Sequence, residues 1–287
     1  MTITRKGRRP VHQCLLVLTL FCNSVVASEN AARPEQESTT VHRDNRRPLL
    51  HSHNDYLRPH PLVDALEQGF QSVEADVFLL DGKLLVGHFL ADALWRRKTL
   101  QELYLQPLRE RIQNKNGFVH DQQKPFFLLI EIKSDATTTY EVIHSRLEEY
   151  ADILSCRNGE TWTPGAVTVV ITGRVPRSRI LQQTICYAGI DGSPSDRYSK
   201  FPPHVMPWIS ERWGFLFQWN GEGEMPESEK SKLADYLSEI HSHGRSARFW
   251  GTPEKEKVWQ ELVNQGVDLL GTDRLSKLKV FDDSQIR

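Results

Sequence analysis

Apolar and polar residues alternate with period two over residues 72–78 (SVEADVF), which predicts a strand and puts Glu74 and Asp76 on one of its faces. Two adjacent carboxylates repel each other and resist burial, so a strand that carries them at its end calls for a cation or for protonation of one of them. Upstream, residues 49–53 (LLHSH) predict a short strand running into the polar break Asn54-Asp55-Tyr56. Residues 61–68 then predict a helix opened by Pro61 and stopped by Gly69. Downstream, Asp81-Gly82 predicts a turn into a second short strand, 83–86, that ends at Gly87-His88. Leu100, Leu103, Leu108 and Ile112 have helical spacing within 99–115, and the most apolar run, FFLLIEIK over 126–133, suits a parallel strand covered on both faces. A helix over 140–150 follows. The rhythm continues with strands near 167–171, 185–187, 205–209, 246–250 and 267–270, and with helices over 177–184, 230–243 and 253–265.

About eight strands alternating with helices predict a closed (β/α)8 TIM barrel, with an open doubly wound sheet as the alternative. No glycine-rich dinucleotide fingerprint or P-loop supports the open sheet. The chain has 287 residues, 39% hydrophobic and 25% charged, enough for one large domain. Residues 48–281 are assigned to it. Ahead of them, Arg5, Lys6, Arg8 and Arg9 precede the short apolar run CLLVLTLF and the small residues Val25-Val26-Ala27. That order predicts a secretory signal peptide over 1–27 with cleavage near Ala27, and a secreted protein without a stable membrane span. An uncleaved anchor or a mitochondrial destination is the alternative. Residues 28–47 are polar and charged without apolar periodicity, and predict a disordered linker.

Losing the first 27 residues removes four of the 36 Lys and Arg and none of the 37 Asp and Glu, for a net charge near −5. Such a balance offers no footprint for nucleic acid or for an anionic membrane. Cys156 and Cys186 remain, either as one disulfide or as two buried thiols.

In a barrel of this kind chemistry sits where strands end. Three predicted strands end in polar pairs at i, i+2: His51 and His53, Glu74 and Asp76, Glu131 and Lys133, while His88 ends a fourth. Three carboxylates meeting at a barrel mouth would destabilise one another without a cation, and oxygen ligands favour a single Mg²⁺ or Ca²⁺ over zinc. A cation beside Lys133 makes a receptor for phosphate, and paired imidazoles can take and give the protons that phosphodiester cleavage needs.

The histidine at the first strand end, GxxSVEADV, the histidine after a short hairpin, and LIEIK resemble the glycerophosphodiester phosphodiesterase superfamily. That superfamily consists of metal-dependent barrels that include the sphingomyelinase D enzymes and resemble phosphatidylinositol-specific phospholipase C. More narrowly, HSHNDY, PLxDAL, SVEADV, VGH, FxWNG (217–221), RFWGTP (248–253) and GVDLLGTD (266–273) together resemble the family named altered inheritance of mitochondria protein six. The resemblance runs from about Pro48 to Leu278. It implies a phosphoric diester hydrolase acting on a glycerophosphodiester or a phospholipid head group. Glu74, Asp76 and Glu131 would be the metal ligands, and His53 and His88 the catalytic pair, with His51 as the alternative first histidine. Lys133, Asn54 and Trp250 would face the substrate. Where such enzymes carry His-Arg-Gly and His-Asp, this chain has His53-Asn54-Asp55 and His88-Phe89. The sphingomyelinase D branch also lacks that arginine, so a lyase releasing a cyclic phosphate is an alternative, as is a secreted anion-binding barrel without turnover. Trp208, Trp213, Trp219 and Trp259 are assigned to packing, with Trp219 the best of them for the rim, and Asp273 to a helix cap.

Overall fold

The computed structural model describes residues 47–120 and 126–285. Twelve strands are formed among them: β1 (Leu49–Ser52), β2 (Ser72–Leu80), β3 (Lys83–Val86), β4 (Phe126–Ile132), β5 (Cys156–Asn158), β6 (Thr161–Thr163), β7 (Val167–Gly173), β8 (Ile185–Cys186), β9 (Ala188–Ile190), β10 (Trp208–Arg212), β11 (Ser246–Trp250) and β12 (Leu269–Thr272). Eight of them run in the order β10-β11-β12-β1-β2-β4-β7-β9, all parallel, with β3 folded back antiparallel on β2. The two ends of this curled sheet meet at a single parallel bridge, Gly192 to Ile209, closing the (β/α)8 barrel that the alternation predicts.

Period two divides every barrel strand between two environments. Val73, Ala75 and Val77 of β2, and Phe126, Leu128, Ile130 and Ile132 of β4, face outward into the main core beneath the helices. The inward set is layered. At the bottom, Leu129, Val170, Trp208 and Leu269, flanked by Leu49 and Phe127, form a separate apolar plug. Higher in the barrel inward positions turn polar (His51, Glu74, Ser210, Arg248), and one step above the register partners Glu74 and Leu129 lie Asp76 and Glu131, themselves register partners across β2 and β4. Bulk apolar packing thus fills one end of the barrel, and all the ionisable chemistry stacks toward the other.

Several elements differ from expectation for local reasons. Ile185–Cys186 pairs antiparallel with β5 in a small outlying sheet, and the barrel strand is Ala188–Ile190. The strand expected over 205–209 starts at Trp208, since Pro207 has no N–H to give to a ladder. The helix expected over 140–150 spans Ala136–Glu148, because the Asp135 side chain accepts from the Thr138 N–H and starts it early. A π turn over Gln101–Leu105 opens the helix Gln106–Asn114, whose Pro107 lacks the N–H that regular helical pairing would require. The last helix, Leu275–Ser284, runs past the expected boundary at 281 and seats Leu275, Leu278 and Phe281 in the core. Cys156 and Cys186 are both free thiols. Trp208, Trp213 and Trp259 are buried as expected; Trp219 is buried too, its indole N–H donating to the Glu222 carbonyl, so it is no rim residue. The expected leader and all of the expected linker except Arg47 lie outside the described residues.

Candidate active site

Where β2 pairs with the C-terminal half of β4, one carboxylate oxygen each from Glu74, Asp76 and Glu131 lie within 4.8 Å of one another. Lys133, just past β4, reaches into this cluster with Nζ 3.0 Å from Asp76 Oδ2 and 2.8 Å from Glu131 Oε1. Glu131 has room because the neighbouring strand ends at Gly173, φ +74°, where a Cβ would lie 2.6 Å from Glu131 Cγ. Asp76 Oδ1 is buried and has no partner. Burial, and then the charges of Glu131 and Glu74, push the Asp76 carboxyl up to about 7 despite Lys133 and the Tyr56 hydroxyl. The cluster is short of positive charge, and an orphaned oxygen among three carboxylates fits a bound cation.

Glu74 behaves oppositely. Burial opposes its charge, but Arg248, then the imidazoles of His51 and His53, outweigh burial and hold it well below the usual carboxylate range. Arg248, buried on β11, places Nη2 3.5 Å from Glu74 Oε1 and 3.3 Å from His51 Nε2, and Nη1 4.0 Å from Asp191 Oδ2. A polar row, Asp191–Arg248–Glu74, therefore crosses the barrel and joins the cluster at Glu74.

The structure separates the two candidate first histidines. His51 is 1% exposed, with Nδ1 2.8 Å from Ser72 Oγ and Nε2 facing Arg248. Burial, then Arg248, lowers it to about 4, so the ring is neutral at ordinary pH. His53 has a side chain 32% exposed, with Nε2 3.7 Å from Glu74 Oε2 and Nδ1 3.0 Å from Asp273 Oδ1. Burial works against its charging, but the hydrogen bond to Asp273 and the charge of Glu74 prevail and raise its pKa. Asp273 is thus engaged with His53 rather than with a cap; at the start of the last helix it is the Thr272 hydroxyl that accepts from the Arg274 N–H, at 2.8 Å.

His88, at the end of the β2–β3 hairpin, is linked to the cluster through Tyr56, a residue the sequence reading passed over. The Tyr56 hydroxyl lies 2.6 Å from Asn54 Oδ1, 2.7 Å from Asp76 Oδ2 and 3.0 Å from His88 Nδ1. It has one proton for the two acceptors, so His88 Nδ1–H donates to it and Nε2 is left for other partners. Asn54 sits at φ 48°, a left-handed conformation asparagine tolerates, and its amide is spent on Tyr56 and the His53–Asp273 pair. Buried Asp55 pins the loop by accepting from Ser52, Tyr104 and the Leu62 N–H. Trp250, 41% exposed, stands at the end of β11 beside a cavity of about 80 Å³ lined by His51, His53, Arg248, Gly271 and Asp273. A larger surface groove, about 310 Å³, lies outside the cluster between Arg58, Asp64 and Lys277.

The descriptor of the AIM6-like phosphodiesterase domain matches residues 39–188, more than half the chain and the part that carries Glu74, Asp76, His88 and Glu131. The chain belongs to this family. Among curated AIM6 relatives, the altered inheritance of mitochondria protein 6 homolog of Arthroderma benhamiae is 27% identical over 262 residues, covering 81% of this chain and 83% of its own. The Eremothecium gossypii altered inheritance of mitochondria protein 6 is 29% identical over 272 residues, covering 81% and 69%. Among solved structures, a glycerophosphodiester phosphodiesterase from Parabacteroides distasonis superposes with TM-score 0.50 at 14% identity, covering 84% of this chain and 98% of that one. An Oleispira antarctica phosphodiesterase, in complex with the product sn-glycerol-3-phosphate, gives TM-score 0.50 at 16% identity, covering 82% and 97%. These two agree with the barrel fold. The AIM6 relatives also correct one expectation. The leader pointed to secretion, whereas the curated relatives share a name tied to the inheritance of mitochondria, and the secreted destination is withdrawn.

Proposed function

We propose that this chain is a metal-dependent phosphodiesterase that cleaves a small glycerophosphodiester or a phospholipid head group at the mouth of the barrel. The observation that carries this reading is the orphaned, buried Asp76 Oδ1 among three carboxylates, with a histidine held on each side. Glu74, Asp76 and Glu131 would hold one divalent ion, Mg²⁺ or Ca²⁺ by their all-oxygen character. Such an ion, when bound, draws negative charge from a phosphoryl oxygen.

The remaining work belongs to the chain. Asp273 accepts the His53 Nδ1 proton, which fixes the tautomer and leaves Nε2 toward Glu74 as the base that takes a proton from the attacking oxygen. Tyr56 holds His88 at Nδ1, so Nε2 is the atom that gives a proton to the leaving oxygen. Lys133, whose Nζ reaches Asp76 and Glu131, would neutralise an oxygen of a phosphate held at the cluster. Arg248 supplies the guanidinium that the His53-Asn54-Asp55 sequence lacks, lining the cavity with His51 beneath and Trp250 above. Phosphorus NMR on a panel of glycerophosphodiesters, lysophospholipids and sphingomyelin, with and without chelator, tests the reading. Turnover that stops with chelator and is lost in Glu131→Gln supports it; turnover indifferent to both overturns it, and a cyclic rather than an open product would reassign the enzyme as a lyase.

A further inference from the structure

The helix Leu90–Arg96 directly follows His88 and is inside out. It buries Ala93, while Leu90, Leu94 and Trp95 face solvent, Trp95 at 83% exposure. At 100° per residue, positions 90, 91, 94 and 95 fall on one face, so the exposed apolar residues form a single continuous surface. Phe89, whose ring meets that of His88 edge-on at 4.5 Å, extends it toward the site, and exposed Leu57 adds to it from the loop after β1. The two segments are tied together, since Arg96 Nη1 donates to the Tyr56 carbonyl at 2.6 Å. A soluble chain seldom leaves such a surface open without a partner.

Two observations say what covers it. The helix leads into Arg97 and Lys98, both exposed, while its one acid, Asp92, turns back to accept from the Phe89 N–H. The surface is thus apolar with a basic edge, on a chain whose overall charge is −1 and hides it. Across the mouth, on the strand four places away in the barrel order, Arg212 lies between the rings of Phe215 and Trp250, at 5.1 and 5.5 Å from their centroids. Phe215 is exposed as well. Apolar side chains with basic companions therefore flank the candidate site on opposite sides of one rim.

We infer that this rim docks onto the surface of a phospholipid bilayer, with Phe89, Leu90, Leu94 and Trp95 entering the interface and Arg97 and Lys98 meeting anionic head groups. Docking brings the mouth against the head-group layer, so the substrate is a phospholipid taken from a membrane. That last step rests on the phosphodiesterase reading of the site; the docking itself does not.

The test uses the full chain with vesicles of phosphatidylcholine alone and of phosphatidylcholine mixed with phosphatidylserine, scored by co-sedimentation. Phospholipid cleavage is followed in parallel with cleavage of glycerophosphocholine in solution. The chain should bind the mixed vesicles more tightly. Leu94→Ser with Trp95→Ser should weaken binding about 10-fold or more, and Arg97→Glu with Lys98→Glu should remove the preference for phosphatidylserine. Both variants should cleave glycerophosphocholine like the parent. No vesicle binding by the parent, equal binding by the Leu94/Trp95 variant, or a parent dimer that this variant dissolves would overturn docking while leaving the site reading untouched. Binding without cleavage of either substrate would sink the site reading and leave docking standing.

Discussion

Glu74 and Asp76 stand two residues apart on the same face of the same strand, yet the molecule treats them oppositely. Glu74 faces the side of the barrel built by β1 and β11, where Arg248 and then His53 supply its counter-charge and His51 adds a hydrogen bond. Asp76 faces β4, where Glu131 adds to the negative charge and Lys133 must serve both acids. One carboxylate is compensated by the fold, and the other is left waiting for a proton or a cation. Strand parity brings the two together; Arg248, three strands away on one side, and Glu131, on the adjacent strand on the other, decide what each becomes.

The largest effect expected from this contrast concerns Asp76→Asn. The neutral amide should abolish divalent-cation binding and lower phosphodiester turnover by about 10³-fold or more. Stability in chelator at pH 8 should not fall, because the replaced carboxylate was poorly tolerated there. Calorimetric titration and denaturant unfolding measure the two halves, and an Asp76→Asn protein that keeps its cation affinity would break the comparison.

Glu74→Gln should also weaken cation binding, but it differs from Asp76→Asn in costing stability with chelator present. It strands Arg248 without its carboxylate, which costs about 3–5 kcal/mol for a buried pair broken on one side. Urea unfolding would show the loss with chelator present, and a variant as stable as the parent would mean that Asp191 alone satisfies the guanidinium.

The next effect is in pH. A carboxyl raised to about 7 holds its proton in the folded state from about pH 4, the ordinary aspartate value, up to 7, so Asp76 destabilises the cation-free protein progressively as pH rises through that window. Proton and cation compete for the same oxygens. The apparent Kd for the divalent ion should therefore rise about tenfold per pH unit below 7, and the cation-induced rise in Tm should be larger at pH 8 than at pH 5.

Asp273→Asn is the smallest of the set. The amide cannot hold the His53 Nδ1 proton as the carboxylate does, so kcat should fall about 10-fold or more. The limb of the pH–rate profile belonging to His53 should move to lower pH, because Asp273 is one of the groups that raise it. A drop in rate with an unmoved limb would point to lost packing instead.

Much of this could be read from the letters because it depends on short-range periodicity. The pairs at 51 and 53, 74 and 76, and 131 and 133 share faces by strand geometry alone, and the alternation of strands and helices specified the barrel. What escaped depends on partners far along the chain. His51 and His53 are indistinguishable until Ser72, Arg248 and Asp273 surround them, residues 21, 197 and 220 positions away. Arg248 is legible in principle, since Arg248 and Trp250 repeat the i, i+2 signature on one strand face. Tyr56 sat in a stretch read as a polar break. The helix Leu90–Arg96 was missed for a different reason: a helix that hides an alanine and displays its leucines does not announce a core-facing stripe.

The single bridge between Gly192 and Ile209 carries a consequence for how the barrel breathes. The closing seam, like the β11–β12 joint at Arg248 and Leu269, is held by one register pair, and such joints part more readily than the long β2–β4–β7 ladders. The strands that bear Glu74 and Glu131 pair with a neighbour on both sides, away from that seam. Transient opening can admit solvent to one flank of the cylinder while the carboxylate cage keeps its shape.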